Sequence, residues 1–252
     1  RLKGDVLGDL PEKNENVVYA EMAGEQDKLY RASASKLARS IAKQLPEDFA
    51  GSKLQVLAEL SKLRELCCDP SLLYDNYTGG SAKLDTCMEL ISTALEADHS
   101  VLLFSQFTSM LDLIAARLAS DGVAYQMLTG STSKEERMRL VKRFQEGAVP
   151  VFLISLKAGG VGLNLTAADI VIHYDPWWNV AAENQATDRA HRIGQTRTVT
   201  VFKLIVKDTI EEGILALQQR KRELADSVVG GEALGSTTIT RDDVLALLDA
   251  GR

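Results

Sequence analysis

Arg189 and Arg192 stand four and seven residues after Gln185 in the run QATDRAHRIGQ. If the chain is helical from about Val180 to His191, with Asn179 as cap, these three side chains project from one face along about two turns. Two guanidiniums a turn apart suit a shared anion. An arginine reaching into a nucleotide pocket from outside neutralises charge on a transferred phosphoryl group, an effect on the order of 10³ to 10⁵ in rate. Gln185 can orient phosphates or water in such a site. An isolated pair of this kind would read as a solvated face with Arg189 on Glu183 or Asp188; the glycine turn ahead of it and the HRIGQ exit favour the anion reading.

That glycine turn is Ala158, Gly159, Gly160, Val161, Gly162, followed by Asn164. Glycines directly after a strand let backbone N–H groups approach an anion without a Cβ in the way. The segment is neither the GxGxxG dinucleotide fingerprint nor a GxxxxGK[ST] phosphate loop. Ser155 and Lys157, just before it, are donors suited to a sugar-phosphate backbone. Both tryptophans of the chain, Trp177 and Trp178, follow Asp175 and Pro176. One is expected to pack into the lobe and the other to meet a groove or base step, with packing of both as the alternative. His173 and His191 have no cysteine or carboxylate at ligand spacing, so no metal site is expected, and His191 reads as a helix-end hydrogen-bonding residue. Cys67, Cys68 and Cys87 form no CxxC pair and read as buried or incidental thiols. The basic run Arg220, Lys221, Arg222 reads as a solvated helix face, or alternatively as a phosphate or partner contact.

The elements that must position these residues alternate. Short apolar runs at Val101–Phe104, Ala124–Leu128, Val151–Ile154, Ile170–Ile172 and Val199–Ile205 are separated by segments long enough for crossover helices. This predicts an α/β lobe with a mostly parallel sheet covered by helices on both faces. Ser133 with Glu136 forms a capping box ahead of Met138, Val141 and Phe144 on one helical face. Asp208 or Thr209 opens a helix striped by Ile210, Ile214, Leu217 and Leu224. Ser105 and Gln106, Thr129 and Gly130, Ser155 to Gly162, and His173 to Trp178 all follow strands, where open parallel sheets bind ligands. Before the lobe come a strand-like piece at Val17–Met22, helices at about Glu25–Gln44 and Lys53–Cys67, and an exposed loop near Tyr74–Gly80. After it, a helix from Asp208 to Val229, a break at Gly230–Ser236 and a short helix near Arg241–Leu248 complete the chain. The expected division is 1–82 connector, 83–207 lobe, 208–252 terminal helix and tail.

The 252 residues carry a formal net charge of −6. That balance excludes a protein that coats nucleic acid by bulk electrostatics, so contacts must be local. No apolar run approaches the roughly 18 to 20 residues of a membrane span, and the start lacks the apolar stretch of a secretory signal; a soluble, intracellular protein is expected.

At these residues the chain resembles the second motor lobe of the Swi/Snf family of ATP-dependent DNA translocases, within helicase superfamily two. FSQF at Phe104–Phe107 resembles the family's fourth motif, SLKAGGVGLNL at Ser155–Leu165 its fifth and QATDRAHRIGQ at Gln185–Gln195 its sixth. The N-terminal segment looks like the end of the first lobe and the connector, and the helix after Asp208 like the family's brace helix. The resemblance implies a RecA-like fold, with Arg189 and Arg192 as arginine fingers toward ATP and Mg²⁺ held mainly by a first lobe. Gln185, Gly160, Gly162 and Asn164 would line that cleft. Ser105, Gln106, Ser155, Lys157 and Trp178 would contact double-stranded DNA. Val180 departs from the family's usual proline at the first helical position, with little effect expected. Since GxxxxGK[ST] and an acidic magnesium motif do not occur, the chain is expected to be half of a motor, inactive alone, monomeric, and directed to DNA or a protein cargo by other domains. A non-catalytic binding module and a dinucleotide-dependent enzyme are the competing classes.

Overall fold

The computed structural model describes residues 10–44, 46–158, 162–227 and 240–249. Six strands form one sheet: β1 (Lys13–Ala20), β2 (Val101–Ser105), β3 (Tyr125–Leu128), β4 (Val151–Ser155), β5 (Ile170–His173) and β6 (Val199–Val206), in spatial order β1-β6-β5-β2-β4-β3. β2, β4 and β5 are buried at every position, as continuous apolar runs predict for strands covered on both faces. Parallel registers align Val101 with both Val151 and Ile170, so β2, β4 and β5 start level and their carboxyl ends form a common rim. β1 is parallel as well: Val199 N–H donates to the Glu12 carbonyl at 3.0 Å and Lys207 N–H to that of Ala20 at 2.9 Å.

The sheet's helices are α3 (Ala82–Glu96), α4 (Thr108–Ser120), α5 (Lys134–Gln145) and α6 (Val180–Thr187). α5 begins with the serine half of the predicted capping box, the Ser133 hydroxyl accepting from Glu136 N–H. The Glu136 carboxylate takes Arg139, through Nε at 2.8 Å and a terminal nitrogen at 2.7 Å. Leu140 and Phe144 are the buried residues of this helix, whereas Met138, expected on the apolar face, is 61% exposed. It lies two residues before Leu140, about 200° round the helix from that stripe.

Two compact units share the chain: Arg1–Val18 with Leu84–Leu204, and Tyr19–Lys83 with Ile205–Arg252. Each is therefore discontinuous, unlike the consecutive division expected from sequence. The first unit holds the sheet and a core that includes Leu102, Phe104, Phe144, Phe152 and Ile154. The second contains α1 (Gly24–Ala42), α2 (Pro46–Cys68), α7 (Ile210–Ser227) and α8 (Arg241–Asp249). α2 starts a turn or more before the predicted Lys53, and Pro46 at its first position is compatible with a helix start. Its inner face buries Val56, Leu60 and Leu63. Ile210 and Ile214 of the predicted α7 stripe are fully buried. Leu224 of that stripe and the Gly230–Ser236 break lie outside the residues whose side chains or backbone are described. A Cβ at Gly213 of α7 would lie 2.9 Å from Leu247 Cδ2 and 3.0 Å from its Cα, so the missing side chain is what lets α8 approach. No helix among the described residues is long and apolar enough to cross a membrane.

Candidate functional site

Ser105 closes β2, and Asp175 lies two residues beyond the neighbouring β5. Because Phe104 pairs with His173 in register, these two strand exits are side by side. The buried Ser105 hydroxyl donates to the buried Asp175 carboxylate. Gln106 N–H reaches both oxygens of that carboxylate at 3.3 Å. Phe107 N–H donates back to Ser105 Oγ at 3.1 Å. β4 joins through Leu156 N–H on the Ser105 carbonyl, and β5 through Tyr174 N–H on that of Phe104, both at 2.9 Å. Three strand ends thus share one hydrogen-bonded rim, which satisfies backbone donors that have left the ladder.

The five DNA-contact candidates all lie on or beside this rim, with different exposure. Lys157 is exposed, Gln106 and Trp178 are half-buried, and Ser105 and Ser155 are buried. Ser155 Oγ accepts from Ala158 N–H at 3.3 Å and so shapes the first turn of the glycine segment. Gln106 Nε2 is buried with no hydrogen-bond partner. The serines hold the rim together from within, whereas Lys157, Gln106 and Trp178 are the candidates with surface to offer.

Both tryptophans are half-buried. Trp177 is half-buried and packs against the lobe core. Its N–H donates to Glu183 Oε1 at 2.6 Å. Glu183 is 1% exposed and pairs with Lys203 of β6 at 3.3 Å, and Lys203 also reaches Glu15 at 3.6 Å. His173 sits beside Lys203 in register, bonds Thr187 Oγ1 through Nε2 at 2.9 Å and stacks on Phe104. Burial pushes the His173 imidazole down to about 4.

The arginine cluster differs from its predicted form. Asn179 caps α6 as expected, accepting from Ala181 N–H at 3.0 Å. The helix ends at Thr187, however, before Arg189 and Arg192. Bonds from Arg189 N–H to the Ala186 carbonyl at 3.2 Å and from Ala190 N–H to that of Thr187 at 3.0 Å tighten its end into a turn. The single helical face of Gln185, Arg189 and Arg192 is therefore replaced by an exposed Gln185 on α6 and two arginines in the turn beyond it. Long-range bonds fix this turn. His191 Nε2 donates to the Pro11 carbonyl at 2.8 Å. The buried Gln195 amide donates to Ala168 and Ala190 carbonyls and accepts from Thr196 and Arg197 N–H groups. Gly194, at φ +101°, supplies the left-handed residue that the turn needs.

Arg189 is 6% exposed and its Nε has no hydrogen-bond partner. Burial and the charge of Arg192 both weaken its hold on its proton, with Asp188 opposing. Glu183, one alternative partner weighed from sequence, is on Lys203 instead. Arg192 is exposed. Two neighbouring cations, one of them buried with an unused donor, form an anion-seeking arrangement. The glycine segment ties them to the rim: it leaves beside Ser105, and Leu165 N–H at its far end donates to the Arg189 carbonyl at 3.0 Å. Gly162 and Asn164 are exposed on this stretch, and a Cβ at Gly162 would meet nothing within 4 Å. Gly160 lies outside the described residues.

Asp175, Glu183 and Lys203 carry much of this geometry without having been singled out from sequence. Asp175 had a signal, being an acid directly before Pro-Trp-Trp at a strand exit. Glu183 had none, since an acid in the first turn of a helix reads as a solvated residue favoured by the helix dipole. Among the described residues no group of three or more His, Cys, Asp or Glu side chains can hold a metal ion.

Residues 82–194 match the family model described as helicase conserved C-terminal domain. An uncharacterized ATP-dependent helicase of Mycoplasma pneumoniae is 38% identical over 99% of this chain and 24% of its own length. The SWI2/SNF2 ATPase core of Sulfolobus solfataricus in complex with dsDNA superposes with a TM-score of 0.73 at 34% identity, over 90% of this chain and 48% of that one. The SWI2/SNF2 ATPase C-terminal domain of the same organism gives 0.70 at 31% identity, over 88% of this chain and 91% of that one. The chain spans about a quarter of the length of the curated relatives it matches.

Proposed function

Because the chain belongs to the SWI2/SNF2 ATPase family and has the fold of its C-terminal RecA-like lobe, we propose that it is the second motor lobe of an ATP-dependent translocase on double-stranded DNA. The observation that carries this reading is the buried Arg189 guanidinium with its unpartnered Nε beside Arg192, in a turn bonded to the exit of the glycine segment. These residues fit a phosphate group: Asp188 only partly offsets the burial of Arg189 and leaves its Nε without a hydrogen-bond partner, which an arriving anion would supply.

In this reading a first lobe of the intact protein holds most of ATP and Mg²⁺, which supply the phosphoryl group whose transfer drives the cycle. Arg189 binds and orients the phosphate chain from its buried position. Arg192, exposed beyond the end of α6, neutralises charge in the transition state. Gln185, Gly162 and Asn164 face the same cleft. At the rim, Lys157, Gln106 and Trp178 meet the duplex through phosphates and the minor groove, with Ser105 and Ser155 shaping the backbone beneath. The glycine segment joins the two regions, so a shift at the arginines reaches the DNA contacts through one short piece of chain. Translocation proceeds without strand separation, in the bacterial nucleoid or the eukaryotic nucleus, with protein cargo chosen by other domains.

The test is Arg192→Ala in the intact two-lobe protein. DNA-stimulated ATP turnover should fall on the order of 10³-fold, while duplex affinity stays within a factor of about two, since the residue makes no rim contact. Turnover near that of wild type would contradict the assignment of Arg192.

A further inference from the structure

Two buried carboxylates are bonded at the same turn. Asp175 begins it, taking the Ser105 hydroxyl and the Gln106 N–H. Glu183, one turn into α6, takes the Trp177 N–H at 2.6 Å and is held by Lys203. Between them stands Pro176, which has no N–H to satisfy and a fixed φ. We infer that Asp175 and Glu183 are positioning residues that clamp the Asp175–Trp178 turn, so that Gln106 and Trp178 are presented to the duplex as one preorganised surface.

Burying a carboxylate is costly, and a core built for stability alone does as well with apolar side chains of similar volume. Here each buried carboxylate instead bonds a backbone N–H of a strand exit: Gln106 after β2 for Asp175, Trp177 after β5 for Glu183. Such donors have no ladder partner, and leaving them unmet would let the turn move. With the Trp177 ring packed on the core and its N–H fixed, the path of the next residue, Trp178, is set within narrow limits. On the other side, the same Asp175 fixes the Gln106 backbone, whose side-chain Nε2 remains unpartnered. The two surface candidates are thereby held by one carboxylate pair across two strand exits. This inference rests on the assignment of the rim to DNA.

Trp177 and Trp178 are the chain's only tryptophans, so tryptophan emission of the 252-residue chain, excited selectively over its tyrosines, reports this turn alone. Ser105→Ala, Asp175→Asn and Glu183→Gln should each raise acrylamide quenching of that emission by about twofold, because a turn freed of one pin admits more quencher. Ser105→Ala removes only a hydroxyl and keeps the test open if the carboxylate variants fold poorly; Ser105→Thr, which keeps the hydroxyl, should restore wild-type quenching. In the intact protein the same variants should raise the duplex concentration for half-maximal ATPase by about tenfold, the size expected for loss of a charge-assisted hydrogen bond, with a much smaller effect on turnover at saturating DNA. Unchanged quenching in Ser105→Ala would overturn the clamp. Raised quenching with unchanged half-saturation would overturn its role toward the duplex. The fluorescence result does not depend on DNA binding, and the wild-type response to duplex reads the underlying assignment separately.

Discussion

At the scale of single residues, His173 shows how a buried group can look chemical and act structurally. It is the last residue of β5, beside the tryptophan turn, yet its Nε2 is used by Thr187 and its ring by Phe104. Burial lowers its affinity for a proton to a value of about 4, from an unfolded value of about 6.5. Below pH 6.5 the unfolded chain binds a proton that the folded chain refuses, so stability falls with pH down to about 4 and is complete above 6.5. The shift corresponds to about 3 kcal/mol across that window. Urea unfolding of the chain between pH 7 and 4.5 should show this slope, and His173→Gln should flatten it; parallel slopes in the two proteins would refute the assignment. The sequence made the residue types of the site legible, because arginines, tryptophans and glycines in fixed order carry their chemistry on their face. It concealed Glu183, whose burial is decided by Lys203 twenty residues away and by no local pattern.

At the scale of elements, the strands were legible and the ends of α6 and β1 were not. Three-to-five-residue apolar runs between turn signals fix β2 to β5 within a residue or two, as sheets covered on both faces require. β1 begins with Lys-Asn-Glu-Asn and is exposed at almost every position, so only its apolar second half gave a signal; its place in the sheet comes from pairing with β6. α6 looked four residues longer because ATDRAH is an acceptable helical sequence. Bonds to Pro11, Leu165 and Ala168 decide otherwise, and those partners are distant in sequence. The start of α7 is set by another partnership that sequence did not show. Lys83 Nζ donates to both Glu211 oxygens at 2.6 Å, with neither side chain exposed. Glu211 also accepts from Val206 N–H at 2.9 Å. Lys83→Met should destabilise the chain by about 3–5 kcal/mol, because it strands a buried carboxylate. Lys83→Met with Glu211→Leu should recover most of that loss; equal destabilisation in the single and double variants would show that the pair is not the source.

At the scale of the whole molecule, the net charge of −6 and the proposed DNA reading are compatible because the rim offers a local cation, the exposed Lys157, and does not depend on the bulk charge. The two compact units are each woven from separated segments, which the consecutive sequence reading could not foresee, as it had no way to pair residues 10–20 with residues 199–207. The family assignment and the RecA-like lobe were legible from motifs spread over most of the chain. The central claim is that this chain supplies arginines to a nucleotide that another lobe holds. Its most direct test is steady-state ATP turnover by the purified 252-residue chain and by the intact two-lobe protein, each with and without duplex DNA. Turnover only in the intact protein, stimulated by duplex, is the predicted result; DNA-stimulated hydrolysis by the 252-residue chain alone at a comparable rate would contradict it.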